Sequence, residues 1–362
     1  MSTVRANNYY DASGGSAAQL YGVSMRNGGT AFVNRIINGD MRIDQRNAGA
    51  AVTTNDALPV DRFRLAFGNS SGAFSGQQTT TAPAGFVNSL KYTTTTADAS
   101  LGATEYATLY QVIEGLNVAD LAWGTASAAT VTLSFWCRSS QTGTFGGSLR
   151  NSANNRSYPF SYSISVANTW EQKSVTIAGD TSGTWLTTNG IGVYINWSMG
   201  AGSTLSGTAG AWAAANYIGA TGAVNLIATL NADFYITGVQ LEAGTVASPF
   251  ERRDYGREFD MCQRYCQVAG GGASGQWWSA ASPEMGITFA VPFRSAPTYT
   301  MFTTSVSVSE IATATRTSVT AAAQGGTLTI NGGNVRIDGF TGATQFRGAL
   351  CLTNCFLLVA EL

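Results

Sequence analysis

A period of two, repeated along most of the chain with no helical pattern between the repeats, is the feature that most limits what this sequence can fold into. Over residues 131–138 (VTLSFWCR), Val131, Leu133, Phe135 and Cys137 fall on one face and Thr132, Ser134, Trp136 and Arg138 on the other. Residues 62–67 alternate through Phe63, Leu65 and Phe67, and residues 190–197 through Ile191, Val193, Ile195 and Trp197. Residues 234–244 alternate through Phe234 and Ile236, then change phase at Gly238 to Val239 and Leu241, as a β-bulge would make them do. Short half-buried strands separated by Gly, Asn, Ser and Thr clusters predict two packed antiparallel sheets over 32–250, with a jelly roll as the expected topology.

Composition agrees. Charged residues are 11% of 362, well under the roughly 25% usual for soluble domains, and hydrophobic residues at 44% are enough for ordinary cores. Formal net charge is −1 without a block of like charges, so the electrostatic footprint of a nucleic-acid or anionic-membrane partner is missing. Lys173 and Arg252 bracket a long stretch with no basic residue. The most apolar stretch, 208–230, is interrupted by Asn216, Asn225 and several glycines, so membrane insertion is not expected. Residues 1–15 lack an apolar signal-peptide core, so Sec export is not expected.

Four segments follow. Residues 1–31 have no sustained period and read as an extended arm, held by an assembly partner or by packing on its own domain. Residues 32–250 form the sandwich, and 251–270 a linker. In that linker Asp254 is placed to N-cap a helix over 255–268, stopped by Gly270, Gly271 and Gly272. Tyr255, Phe259, Cys262 and Cys266 recur at helical spacing and make one apolar stripe, a candidate surface for packing against other subunits or the flanking β domains. Residues 271–362 return to strands, with a hairpin around Asn331, Gly332 and Gly333, and predict a second, smaller β domain.

The chain contains no histidine, which removes Ser-His-Asp and Cys-His nucleophilic systems and HExxH metal sites. The five cysteines include two pairs at four-residue spacing, Cys262/Cys266 and Cys351/Cys355. Core-type neighbours favour buried thiols acting as small hydrophobes, with a disulfide or a tetrathiolate metal site as the alternatives. Acidic residues interleave with arginines, as in Glu251, Asp254, Glu258 and Asp260 among Arg252, Arg253, Arg257 and Arg264. Asp40, Asp44 and Asp61 lie similarly near Arg42, Arg46, Arg62 and Arg64, and mutual ion pairing is the expectation for both groups. No catalytic constellation stands out, and no cofactor is implied. Trp277 and Trp278 follow a Gly/Ser stretch and point to opposite faces of a strand, so they are the candidates for stacking on a sugar ring. Tyr158, Trp170, Trp185 and Trp212 are further aromatic candidates.

Three stretches resemble bacteriophage tail-fibre and related virion appendage proteins. They are FVNRIINGDMRIDQRNAG (32–49) with LPVDRFRL (58–65), VTLSFWCRSSQTGTF (131–145) with ANTWEQKSVTIAGD (167–180), and ITGVQLEAGTVASPFERRDYGREFDMCQRY (236–265). The start of the chain, VRANNYYDASGGSAAQLYGV, is similar to the virion-anchoring start of some phage fibres. The resemblance implies a carbohydrate-binding-module-like jelly roll and a homotrimer. It further implies an arm docked on tail or capsid proteins, display on the virion after synthesis in the host cytoplasm, and attachment to a host surface glycan through the C-terminal domain. It brings no agreed catalytic residues, so the expectation is a binding protein rather than an enzyme. A decoration fibre without a receptor and a polysaccharide depolymerase are the alternatives.

Overall fold

The computed structural model describes residues 18–20, 23–25, 33–68, 70–311 and 313–362. The arm expected over 1–31 lies outside the described residues, apart from β1 (Ala18–Leu20) and β2 (Val23–Met25), which pair antiparallel. Then follow β3 (Ala57–Val60), β4 (Phe63–Gly68), β5 (Ala73–Thr79), β6 (Ser89–Thr96), β7 (Tyr106–Glu114), β8 (Val131–Ser139), β9 (Gly143–Arg150) and β10 (Ser157–Ile164). After them come β11 (Glu171–Ile177), β12 (Ile191–Ala201), the two-residue strands β13 (Ser206–Gly207) and β14 (Gly219–Ala220), and β15 (Asp233–Ala243).

One sheet has the order β10-β9-β12-β7-β4-β3 and the other β11-β8-β15-β6-β5. From β6 onward the chain steps repeatedly between them, to β7, back to β8, across to β9 and β10, back to β11, across to β12 and back to β15. That wrapping is a jelly roll. The alternation drives it, because each strand has one greasy face and only a second sheet can cover it. Phe63, Leu109, Leu133, Phe135, Val193, Ile195 and Trp197 are all sealed in the resulting core, and the Trp197 ring lies between Phe63 and Phe135, 6.3 and 5.7 Å away. The phase change at Gly238 is a real bulge: the register of β15 on β8 shifts between Thr237 and Gln240. Gly238 has φ 61°, and a Cβ there would stand 2.7 Å from Phe86 Cζ. The bulge is what lets Phe234, Ile236, Val239 and Leu241 all face inward.

Helix α1 (Tyr255–Gln263) begins where the sequence places it, with the Asp254 side chain accepting from Gly256 N–H at 2.9 Å. Its end is corrected. The helix stops at Gln263 rather than 268, and Cys266 opens a strand, β16 (Cys266–Ala269). The backbone groups of those four residues are satisfied by a ladder from Cys266↔Val359 to Ala269↔Phe356, so tertiary pairing overrides the local helical spacing.

The remaining strands are β17 (Ser274–Ser279), β18 (Ser282–Thr288), β19 (Thr298–Met301), β20 (Val306–Glu310), β21 (Ala314–Ser318), β22 (Ala322–Leu328), β23 (Gly332–Asp338), β24 (Gly348–Cys351) and β25 (Phe356–Val359). They form a seven-stranded sheet, β21-β20-β24-β17-β18-β23-β22, while β16, β25 and β19 form a three-stranded one. The hairpin expected around Asn331 joins β22 to β23.

The sandwich and these C-terminal sheets meet along a buried ionic seam. Glu361 is held by Arg62 and, at 2.8 Å, by Arg46, which also reaches Asp61 at 3.0 Å. The Arg62 guanidinium stacks 3.5 Å from the Tyr265 ring centroid, and Tyr265 Oη donates to Glu114 at 2.8 Å. Arg264 grips the same Glu114 carboxylate with two N–H groups, at 2.8 and 3.1 Å. Burial by itself would raise the Glu361 pKa, but Arg62 and Arg46 overcome it and hold the group below the ordinary Glu value. Asp61 behaves oppositely: burial lifts it to about 6 although Arg46 and Gln45 pull it down.

Two outcomes follow from this architecture. Gly238→Ala forces a Cβ into a left-handed position against Phe86, and we expect a loss of about 2 kcal/mol, read as a lower urea midpoint at unchanged slope. An unaltered midpoint would show that the bulge relaxes freely. Glu361→Gln should cost about 3 kcal/mol at pH 7, because it strips a buried carboxylate from two guanidinium groups. A depressed acid stabilises above its unfolded pKa and loses that contribution as pH falls through its folded value. The gap between wild type and variant in thermal or urea unfolding should therefore close below about pH 4, and a gap independent of pH would contradict the ion pairing.

Candidate functional site

On β7 the core side is taken by Ala107 and Leu109, which turns Tyr106, Thr108 and Tyr110 outward. On β12, inward Val193, Ile195 and Trp197 turn Tyr194 and Asn196 outward. Register brings these together: Tyr110 lies between Asn196 of β12 and Arg64 of β4, and Tyr194 lies between Val112 of β7 and Arg150 of β9. The segment linking β12 to β15 folds back across this face, pinned where Ser148 Oγ donates to Ile218 O at 3.1 Å and Ser157 Oγ to Ala215 O at 2.7 Å. Strand face and covering segment together enclose a cleft of about 260 Å³, with Tyr106, Tyr110, Tyr194, Arg150, Asn154 and Asn216 in its lining and Ala66 and Thr108 between them.

The tyrosine rings are half-buried, Tyr110 and Tyr194 lying 6.0 Å apart at 51°. Tyr110 Oη donates to Asp56 at 2.7 Å, and Asp56 is paired with Arg64. Burial, then the bond to Asp56, raises the Tyr110 pKa, so the phenol stays protonated. The hydroxyls of Tyr106 and Tyr194 hold no hydrogen bond to any described residue. Arg150 is 9% exposed and lies 5.0 Å from the Tyr194 centroid. Its Nη1 donates to Asn216 Oδ1 at 2.6 Å and Asn154 Oδ1 at 3.1 Å, and its Nη2 to Asn196 Oδ1 at 3.3 Å. Burial lowers its pKa, although a guanidinium remains a cation at any physiological pH. Ring faces, a fixed cation and amide groups converging on one cleft are the equipment for holding a sugar: apolar faces for the ring, directed polar groups for its hydroxyls.

A second cavity, about 330 Å³, is lined by the covering segment, the end of β12 and residues 99–101. Its lining offers hydroxyls from Ser100, Ser198, Ser203 and Ser206 and the Asn225 amide, with no aromatic face or charge.

The residues singled out in the sequence are placed elsewhere. Trp277 is fully buried and packs edge-on against Phe340 at 5.4 Å, so it is corrected from a stacking candidate to a core residue. Trp278 points the other way and is 48% exposed, with the Arg336 guanidinium 4.4 Å from its ring centroid. Trp185 and Trp212 pack with Trp123 in a mutual edge-to-face cluster that Tyr158 joins through Trp212, and Trp170 sets its edge on Tyr235. Of the linker stripe, Cys262 and Cys266 are buried, Phe259 is half-buried, and Tyr255 is exposed and stacked on Phe259 at 6.0 Å. All five cysteines are free thiols, and among the described residues no three His, Cys, Asp or Glu side chains gather as a metal site requires. Cys351 and Cys355 stand 3.7 Å apart, and the hydrogen bond between them lowers Cys351 to about 7 and raises Cys355.

No family model and no curated protein matches the sequence. Among solved structures, the chain is similar to the enzymatically active domain of bacteriophage CBA120 tailspike protein 4, at 14% identity over 59% of this chain and TM-score 0.29. It spans only 22% of that tailspike chain. It is also similar to the family 11 carbohydrate-binding module of Clostridium thermocellum cellulase Lic26A-Cel5E, at 15% identity over 56% of this chain and 99% of the module, TM-score 0.27. TmCBM61, solved with β-1,4-galactotriose, gives 9% identity, 58% and 99% coverage, and TM-score 0.26.

Sequence reasoning missed the cleft, although part of its signal was present. In YATLY (106–110) the outward positions carry Tyr, Thr and Tyr where a solvated face would carry charges. Arg150 and Asn216 join only through strand order and the covering segment.

Because all five thiols are sealed, a thiol-specific reagent should label none within minutes at pH 7.4 and five after guanidinium denaturation. Fast labelling of Cys351 in the folded protein would show that the turn 352–354 opens.

Proposed function

We propose that the chain is a glycan-binding virion fibre protein that attaches its particle to a host surface, and that the tyrosine-lined cleft on the six-stranded sheet is the sugar site. The cleft carries this reading: three half-buried tyrosines, a buried arginine and two amides converge on one open groove. The virion assignment is supported by the sequence resemblance, whose stretches 32–49, 58–65 and 236–265 supply the seam residues Arg46, Asp61, Arg62, Arg264 and Tyr265. A homotrimer with the arm docked on tail or capsid proteins belongs to the same proposal. Binding without bond cleavage is favoured because glycosidic hydrolysis uses a pair of carboxylates flanking the bond, whereas the cleft lining contains tyrosines, amides and a guanidinium. The exposed Trp278 on the C-terminal sheet favours a second, weaker contact there. Several copies with several weak contacts would add up through avidity.

Tyr194→Ala and Tyr106→Ala should each weaken binding to host-cell polysaccharide by about tenfold to thirtyfold, the loss of one stacking anchor, with unfolding midpoints close to wild type. Trp278→Ala should weaken it by less than about threefold, the scale of a peripheral contact. Affinity electrophoresis in gels containing the polysaccharide reads both. Wild-type retention by both tyrosine variants would remove the cleft from the function, and release of reducing ends would replace binding with depolymerisation.

A further inference from the structure

Within the glycan-binding reading, on which this rests, we infer that the ligand is an acidic saccharide whose carboxylate is received by Arg150. A buried cation is tolerated when a carboxylate neutralises it, because desolvation of an isolated charge is expensive. This chain follows that rule elsewhere. Arg46, Arg62 and Arg253 are comparably buried, and each holds at least one carboxylate. Arg150 does not. Its partners are three neutral amide oxygens and the face of Tyr194, and no acid stands among the groups that act on it electrostatically.

Donor arithmetic points the same way. A guanidinium has five N–H donors in a rigid fork, and three of those of Arg150 have protein acceptors. Its Nε has none, as is also true of Arg62 and Arg253, and one N–H of Nη2 is left over; what sets Arg150 apart is that none of its acceptors is a carboxylate. Asp56, the carboxylate bonded to the cleft residue Tyr110, is also engaged by Arg64. An unneutralised guanidinium that lines a sugar-sized cleft, with two of its five N–H donors lacking a protein acceptor, is complementary to an anion carried on a ring. The tyrosine faces select the ring, and the fork selects a carboxylate by two parallel hydrogen bonds. A hexuronate or sialate residue has both parts.

The test is an array of hexuronate- and sialate-containing oligosaccharides, each beside its counterpart with the carboxylate reduced to a primary alcohol, probed with the full chain. We expect at least a tenfold preference for the acidic member of some pair, falling as sodium chloride is raised. In Arg150→Met that preference should shrink to under twofold while the reduced member is still retained. Equal binding of both members by wild type overturns the acidic assignment and leaves the glycan-binding reading standing. A preference that survives Arg150→Met also overturns it, since the charge would then be read elsewhere. Binding to neither member of any pair overturns the acidic assignment and the cleft's glycan role together.

Discussion

The Glu361 carboxylate, clamped between Arg46 and Arg62, is the interaction on which the arrangement of the two β regions depends. Hydrophobic burial is non-directional and would accept many relative placements of two sandwich-like units. Desolvated ion pairs do not, because each guanidinium must find its carboxylate within a fraction of an ångström or remain uncompensated. Arg62 lies in the turn between β3 and β4, with φ 73°, and spends its donors on Glu361 and the Val112 carbonyl while its face covers Tyr265. One side chain thus ties together the turn between β3 and β4, the residue before β16 and the segment that follows β25. A left-handed backbone at a non-glycine residue is strained, and it persists here because the surrounding contacts over-determine it.

The same alternation that builds the jelly-roll core also builds the cleft. A strand with one sealed face presents its other face at fixed spacing, so Tyr106 and Tyr110 on β7 and Tyr194 on β12 are placed on a rigid sheet. The loop-rich segment 202–232 then supplies what a flat sheet lacks, a wall. Its near-uncharged, Gly- and Ala-rich composition suits that task, since backbone can lie directly on the strands: Gly219 packs so closely on Ser198 that a Cβ would stand 2.8 Å from its Oγ. The long stretch without a basic residue, which reads in sequence as an inert surface, is largely this covering layer and the strands beneath it.

What could be read in advance divides along a physical line. Period-two faces, the Gly238 bulge, the Asp254 cap and the Asn331 hairpin are local, set by side-chain direction and backbone propensity within a few residues, and the structure has each of them. The end of α1 is not local. Cys266–Ala269 fits a helical stripe as well as a strand, and only the arrival of Phe356–Val359, ninety residues later, decides between them. Trp277 and Trp278 show the same limit: their opposite directions are legible, but which side is core depends on where the rest of the sheet lies. The cleft was hardest, because it is assembled from β4, β7, β9, β12 and a covering segment whose order in space differs from their order in sequence.

Arginine appears in this protein in two electrostatic settings, and the contrast separates architecture from function. At the seam Arg46, Arg62 and Arg264, and beside the linker helix Arg253, meet carboxylates, and their fields are spent inside the fold. In the cleft, Arg150 is as withdrawn from water as Arg46 yet meets amides and a ring, so its field extends into the groove. A low-dielectric wall strengthens that field for whatever enters. Three amide bonds and a ring hold the guanidinium in place, but no carboxylate of the fold offsets the cost of burying its charge. The charge makes physical sense when the partner that completes it comes from outside the chain.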